Sequence, residues 1–135
     1  MFDYIKIERT MCYGPCPVYS VTVDKNGNVN YYGEIFVYKT GEYKWKISKK
    51  KVEQLNKLIN DFGFSSFEYN PDDKFATDQP SCITTVIYIN GKKKEIDHYY
   101  GHFLIDDSLT KLENKIERII GTKKYVNQKL NGNGA

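Results

Sequence analysis

The chain has 135 residues, of which 40% are hydrophobic and 27% are charged, a balance typical of one folded globular domain and not of a disordered chain. The formal net charge is only +3 and 18 of the 20 basic residues are lysine, which disfavours a sequence-specific DNA-binding protein. No apolar run approaches the ~20 residues of a membrane span, and the first residues lack a signal-peptide pattern. We therefore expect no membrane association, a cytoplasmic location and reduced cysteines.

The first third of the chain predicts four β-strands joined by tight turns. Apolar and polar residues alternate along four segments, residues 3–9, 18–24, 29–37 and 43–47. Asn26-Gly27 supplies the positive φ angles of a two-residue hairpin turn, and Thr40-Gly41 turns the chain again. Twelve tyrosines also favour a sheet.

The rest of the chain predicts a helix, a hairpin and a second helix. Ser48 is a good N-cap for a helix that ends at Gly63. Strands are predicted over residues 82–90 and 92–98, and a second helix runs from near Asp106, Asp107 or Ser108 to Gly121. The order ββββαββα predicts an α+β domain over residues 1–121, with a mainly antiparallel sheet, two helices on one face, and a flexible tail over residues 122–135.

A cysteine-containing loop follows the first strand and is the sharpest chemical feature of the sequence. Its residues 9–19 read R-T-M-C-Y-G-P-C-P-V-Y. Cys12 or Cys16 could be a catalytic thiol, because a glycine- and proline-rich loop with free backbone N–H groups can lower a thiol pKa. The favoured alternative is that the two cysteines lie beneath the loop or form a small disulfide under oxidising conditions.

Other residues complete possible sites around these cysteines. Arg9, His98 or His102 could assist a thiolate as a helper or base. A Cys₃His zinc site would need Cys12, Cys16 and Cys82 with His98 or His102; this alternative is weak because structural zinc sites use closer cysteine pairs, so we expect no metal and no cofactor.

Two further patterns have structural explanations that we favour over chemistry. The carboxylates of Asp72, Asp73 and Asp78 could do acid–base work, but aspartates in proline-containing loops mostly build turns. The segment 43–46, Tyr-Lys-Trp-Lys, resembles a single-strand nucleic-acid binder, yet its rings share a face with Ile47 and are expected in the core. Nucleic acid is therefore an unlikely partner.

The cysteine loop resembles a family of small bacterial domains of unknown function. The pattern is R-T-x-C-x-G-x-C-P-x-Y, then a hairpin and a later T-D-x-P, carried here by Arg9, Thr10, Cys12, Gly14, Cys16, Pro17, Tyr19, the hairpin at Asn26-Gly27, and Thr77, Asp78 and Pro80. The resemblance spans roughly residues 3–120 and implies the fold described above, with no established activity or cofactor. Many members resemble secreted or lipid-anchored proteins in which the cysteines could be paired, whereas the missing signal sequence here suggests a cytosolic member.

We therefore expect a small binding module for a protein or small molecule, for example a bacterial or phage inhibitor that sequesters its partner. Its ligand-binding candidates are Arg9, Tyr13, Tyr19, Asp78, Tyr99 and Tyr100. Tyrosine supplies a large amphipathic contact area at low entropic cost. The alternatives are a thiol-dependent enzyme that uses Cys12 or Cys16 and a single-stranded nucleic-acid binder.

Overall fold

Six antiparallel strands form one sheet in a computed structural model that describes residues 1–71, 75–102 and 107–127. The strands are β1 (Phe2–Arg9), β2 (Val18–Asp24), β3 (Asn28–Ile35), β4 (Gly41–Lys46), β5 (Ser81–Tyr88) and β6 (Lys93–Tyr99). Their spatial order is β4-β3-β2-β1-β5-β6, so β1 and β5 pair in the centre although about 70 residues separate them. The helices are α1 (Lys49–Phe62), α2 (Asp107–Ile120) and α3 (Lys123–Val126), with a short 3₁₀ turn at Phe64–Ser66.

The predicted α+β fold and the order ββββαββα are confirmed. One sheet face carries the core side chains and is covered by the helices, as the inward residues Ile5, Val21 and Tyr31 are fully buried. The other face is polar, which is the usual arrangement of an antiparallel sheet with helices on one side. In the part of the chain that the structure describes, no helix has the length and apolar character that a membrane crossing requires.

The first helix begins and ends where its capping residues predict. The Ser48 hydroxyl accepts a hydrogen bond from the Lys51 backbone N–H at 3.2 Å. Gly63 adopts a left-handed conformation with a φ of 75°, and its N–H bonds to the Asn60 carbonyl. The buried face of α1 consists of Val52, Leu55 and Ile59.

The predicted tail is wrong over its first residues, because residues 122–127 are folded against the sheet. The Tyr125 ring stacks on Trp45 with 4.4 Å between centroids, and Val126 is buried. The backbone N–H groups of Tyr38 and Lys39 donate to the carbonyls of Val126 and Tyr125. Burial of these apolar side chains outweighs the entropy of ordering a chain end. Residues 128–135 lie outside the described residues, as do Asp72, Asp73 and the proposed helix-start residue Asp106.

Candidate functional site

A row of polar side chains crosses the helix-covered face at one end of the sheet. The strand register pairs Arg9 with Tyr19 on one side and with Cys82 on the other, and it pairs Cys82 with His98. Directly paired residues of an antiparallel sheet point to the same face. Four residues that are distant in sequence and that the sequence analysis singled out for chemistry therefore lie side by side beneath α2.

Two glutamates of α2 complete this row, and the sequence analysis missed both. Glu113 and Glu117 are 1% and 2% exposed, so they are as buried as the apolar residues beside them. The helical spacing contained a signal for both glutamates. Glu113 and Glu117 follow Leu109 by four and eight residues, so they lie on the same face of α2 as the apolar residues that are buried. A glutamate at such a position is a buried charge, and buried charges are paired.

The first half of the network joins Glu117 to Arg9 and Tyr19. Arg9 Nη2 lies 2.7 Å from Glu117 Oε1, and Arg9 Nε donates to Oε2 at 3.3 Å, a two-pronged ion pair. The Tyr19 hydroxyl donates to the same carboxylate, and Arg9 Nε also lies 3.2 Å from the Tyr19 oxygen. The side chain of Arg9 is only 18% exposed, so this cation depends on Glu117 for most of its compensation.

The second half joins Glu113 to His98 and Tyr100 in the same way. His98 Nδ1 lies 2.8 Å from Glu113 Oε2, and the Tyr100 hydroxyl donates to Oε1. His98 is fully buried, and its Nε2 finds no hydrogen-bond partner among the described residues. Arg9 Nη1 donates to the Tyr100 oxygen at 3.2 Å and so links the two halves.

The network raises the pKa values of Arg9, Tyr19 and Tyr100. Burial opposes the charge on Arg9, but the proximity of Cys82 and Glu117 outweighs burial and raises the guanidinium pKa. Burial, followed by the Glu117 carboxylate, raises the pKa of Tyr19. Burial and the hydrogen bond to Glu113 raise the pKa of Tyr100. The two phenols therefore stay protonated and serve as hydrogen-bond donors.

Cys82 lies between Arg9 and His98 on the neighbouring strands, but its thiol is not activated as a nucleophile. The residue is fully buried, and burial raises the pKa of its thiol well above the ordinary value. A reactive cysteine needs a lowered pKa and access to solvent. Cys82 therefore acts as a small core residue, although His98 is its neighbour across the strands.

The structure overturns the expectation that all three cysteines are reduced. A disulfide joins Cys12 and Cys16 across the loop, and Cys82 is the free cysteine. The alternative of a reactive thiolate at Cys12 or Cys16 therefore has no free thiol in this state, and both sulfurs are unavailable to zinc. Among the described residues, no cluster of three or more His, Cys, Asp or Glu side chains could hold a metal ion.

The disulfide loop is held against the segment that precedes β5. The Tyr13 N–H donates to the Asp78 carbonyl at 2.9 Å, and the Thr10 hydroxyl accepts from the Ser81 N–H at 2.8 Å. Asp78 has a positive φ of 65°, a strained conformation for a residue with a Cβ. The Tyr13 side chain is 83% exposed at the loop tip, and the Asp78 residue is exposed.

The remaining site candidates lie apart from this loop or face inward. The Tyr99 hydroxyl donates to the Ala76 carbonyl at 2.7 Å, so it braces the same segment. His102 contacts the rings of Phe75 and Tyr99, and its Nδ1 has no partner among the described residues. The structure brings His98 and Tyr100 together but separates His102 from their network.

A surface groove opens beside the cysteine loop, on the polar face of the sheet. Its volume is about 360 Å³, and its lining residues are Lys6, Glu8, Arg9, Thr10, Met11, Val18, Tyr19, Ser20, Tyr32 and Glu34. Met11 and Tyr32 are 67% and 52% exposed, so the walls of the groove include two large apolar side chains that contact solvent. The groove thus borders the buried network through Arg9 and Tyr19.

The aromatic side chains of Tyr43 and Trp45 in β4 are partly buried and pack against the core on the helix-covered face. Trp45 Nε1 donates to the Ile120 carbonyl at 2.9 Å, and Tyr43 packs near Tyr125. The polar face is not basic, since six carboxylates outnumber four lysines on it. These carboxylates are Glu8, Asp24, Glu34, Glu42, Glu95 and Asp97, and the lysines are Lys6, Lys44, Lys46 and Lys93.

Together, the one-sided antiparallel sheet, the disulfide loop and the buried network define the class, a small α+β domain. The family is a domain of unknown function, DUF6438, whose model matches residues 3–120. The chain therefore belongs to this family, in agreement with the resemblance seen in the sequence. A comparison with curated proteins found no match.

Proposed function

We propose that this domain is a binding module that holds its ligand in the groove beside the Cys12–Cys16 loop. The observation that carries the proposal is the exposure of Met11 and Tyr32 on the walls of a groove of about 360 Å³. Ligand sites are concave, combine apolar walls with a few polar groups, and have volumes from about 300 Å³ upward. The groove lies at the lower end of this range, which suits a small molecule or one or two side chains of a protein.

The buried network supports this role because it makes one side of the groove rigid. Arg9 and Tyr19 border the groove, and their side chains extend to the opposite, helix-covered face of the sheet, where Glu117 holds both. A preformed site loses less entropy when a ligand binds, so a rigid support increases affinity. This arrangement explains the charged residues as positioning groups without assigning them any catalysis.

The thiol-enzyme alternative has less support. Cys12 and Cys16 are paired and Cys82 is buried with a raised pKa, so none of the three offers a thiolate in this state. The same disulfide favours an oxidising compartment over the cytoplasm expected from the sequence. The role of an inhibitor that sequesters a partner stays a prediction.

A screen of small soluble fragments by ¹H–¹⁵N correlation NMR tests the proposed site without knowledge of the natural ligand. Fragments should shift the backbone amides of Met11, Val18 and Tyr32 more than those of the remaining surface. The double variant Met11→Ala/Tyr32→Ala should lose these hits. The matched control Phe75→Ala, which removes an exposed aromatic residue outside the groove, should keep them.

Two outcomes would count against the proposed site. Fragment shifts that cluster elsewhere would move the binding site to another surface. Hits that survive in the Met11→Ala/Tyr32→Ala variant would show that the apolar walls do not contribute to binding.

A further inference from the structure

The groove carries an unbalanced negative charge next to its apolar wall. Lys6 Nζ lies 2.9 Å from Glu8 Oε1, and this hydrogen bond raises the pKa of Lys6, so these two groups neutralise each other. Glu34 also lines the groove and makes no ion pair within the described residues. The positive charge of Arg9 is neutralised by its ion pair with Glu117. One carboxylate thus remains for a ligand.

The apolar side chains lie beside this carboxylate. Tyr32 and Glu34 both line the groove, and Glu34 lies where the pairing of β3 with β2 is irregular, between Gly33 opposite Tyr19 and Ile35 opposite Val18. Val18 pairs with Ile35 across the strands and continues the apolar wall, and Ile35 is 43% exposed. The polar face around the groove has six carboxylates and four lysines, which locally favours a cation over an anion.

We propose that the groove takes a basic segment of a partner polypeptide, in which a lysine or arginine is flanked by apolar residues. This inference rests on the proposed function and names the partner chemistry of the same site. The cationic group pairs with Glu34, its methylene stem lies on Tyr32 and Met11, and the flanking apolar residues cover Val18 and Ile35. Long cationic side chains bury their stems on apolar surfaces in this way, and tyrosine faces attract cations.

Three short peptides that differ at one position test the charge requirement. The first has a single lysine between two leucines in a glycine background, and the others have glutamine or glutamate in its place. In NMR titrations that follow the groove amides, the lysine peptide should bind about two- to fivefold more tightly than the glutamine peptide, and the glutamate peptide most weakly. The preference should shrink when salt is added.

Variants of the protein assign the effect to one residue. Glu34→Gln should weaken binding of the lysine peptide about two- to fivefold and leave binding of the glutamine peptide unchanged. Glu53→Gln removes an equal charge from the exposed side of α1 and should change neither. Thermal unfolding of both variants should match that of the parent protein, since both side chains are exposed.

The outcomes separate this inference from the proposed function. If the glutamine or glutamate peptide binds the groove as tightly as the lysine peptide, the charge inference is wrong and the groove remains a binding site. If no peptide shifts the groove amides but fragments do, the polypeptide partner is wrong. If spermine binds as tightly as the lysine peptide, the site recognises free amines and the polypeptide partner is again wrong. If neither peptides nor fragments use the groove, both proposals fail.

Discussion

The two halves of the buried network each join a glutamate to a tyrosine and a basic side chain, but the basic side chain is an arginine in one half and a histidine in the other. In each half, a glutamate of α2 accepts a hydrogen bond from a tyrosine hydroxyl and contacts one nitrogen-containing side chain. Glu117 contacts Arg9, and Glu113 contacts His98. A guanidinium keeps its proton under all ordinary conditions, whereas an imidazole can release it. The Glu117 half therefore holds an obligatory ion pair, and the Glu113 half can exist without a buried cation. Removal of the glutamate should therefore lower the unfolding free energy by different amounts in the two halves, although their geometry is similar.

Removal of the Glu117 carboxylate should have the largest effect. Glu117→Leu leaves the Arg9 cation buried without its partner, and loss of one member of such a pair costs about 3–5 kcal/mol of unfolding free energy. Urea denaturation measures this loss against Glu53→Gln, an exposed glutamate whose replacement should cost close to nothing.

A second variant covers the case in which Glu117→Leu does not fold, since small domains have only about 5–15 kcal/mol in total. Arg9→Met/Glu117→Leu replaces the pair with apolar side chains and should regain most of the lost stability. A double variant that is less stable than Glu117→Leu would contradict the idea that the unpaired cation causes the loss.

Removal of the Glu113 carboxylate should cost less. Glu113→Leu leaves the hydroxyl of Tyr100 and Nδ1 of His98 without their acceptor, just as Glu117→Leu leaves Tyr19 and Arg9, so the two variants differ in the charge that is left unpaired. An imidazole, unlike a guanidinium, has a neutral form at ordinary pH, so this variant leaves no obligatory charge behind. The same urea series should therefore rank Glu113→Leu between the parent protein and Glu117→Leu. Equal losses for the two variants would contradict the idea that the unpaired guanidinium makes the Glu117 half more costly to break.

Alkaline pH should act on both halves through their tyrosines. The pKa values of Tyr19 and Tyr100 are raised, and burial raises that of Tyr31 in the neighbouring core from 10.0 to about 12. A raised pKa means that the folded state holds these protons more tightly than the unfolded state. The stability that they contribute is therefore complete below pH 10 and is lost as the pH rises through the folded pKa values.

A pH series of thermal unfolding midpoints between pH 9 and pH 12 measures this effect. Tyr19→Phe and Tyr100→Phe should each flatten the decline above pH 10, although each lowers the midpoint at neutral pH by removing a hydrogen bond. Tyr13→Phe, which changes an 83% exposed residue, should leave the slope as it is. An unchanged slope in both buried variants would show that other groups control the alkaline transition.

The sequence predicted the fold better than the site because local signals determine the strands and helices. The caps Ser48 and Gly63 act within a few residues, and both formed the predicted helix ends. At the first hairpin Gly27 has the predicted positive φ, but Asn26 does not, so the chain turns through residues 25–27 and not through the predicted two-residue turn. The position of Tyr125 on Trp45 depends on contacts across about 80 residues, so composition alone wrongly indicated a flexible tail there.

The site residues show the same division between local and distant information. Arg9 and Tyr19 were identified from the cysteine motif, but their partner Glu117 lies about 100 residues away and is brought to them only when α2 docks on the sheet. The helical spacing contained this information, since a glutamate on the buried face of α2 requires a partner. The pairing of Cys12 with Cys16 depends on the redox state of the surroundings, which the spacing of two cysteines does not encode.

The link between the two halves should have the smallest effect. Arg9 contacts both tyrosine oxygens at 3.2 Å, through Nε to Tyr19 and through Nη1 to Tyr100. If the guanidinium transmits a change from one half to the other, Tyr19→Phe and Tyr100→Phe should not be additive in unfolding free energy, with a coupling of about 0.5–1 kcal/mol. As a control, Tyr19→Phe is combined with Tyr88→Phe. Tyr88 lies at the end of β5 opposite to Cys82, so the effects of these two substitutions on the unfolding free energy should be additive. Additivity in both pairs would mean that the halves are independent triads that merely share a helix, whereas coupling in the first pair alone would make Arg9 the connection between the buried network and the groove that it lines.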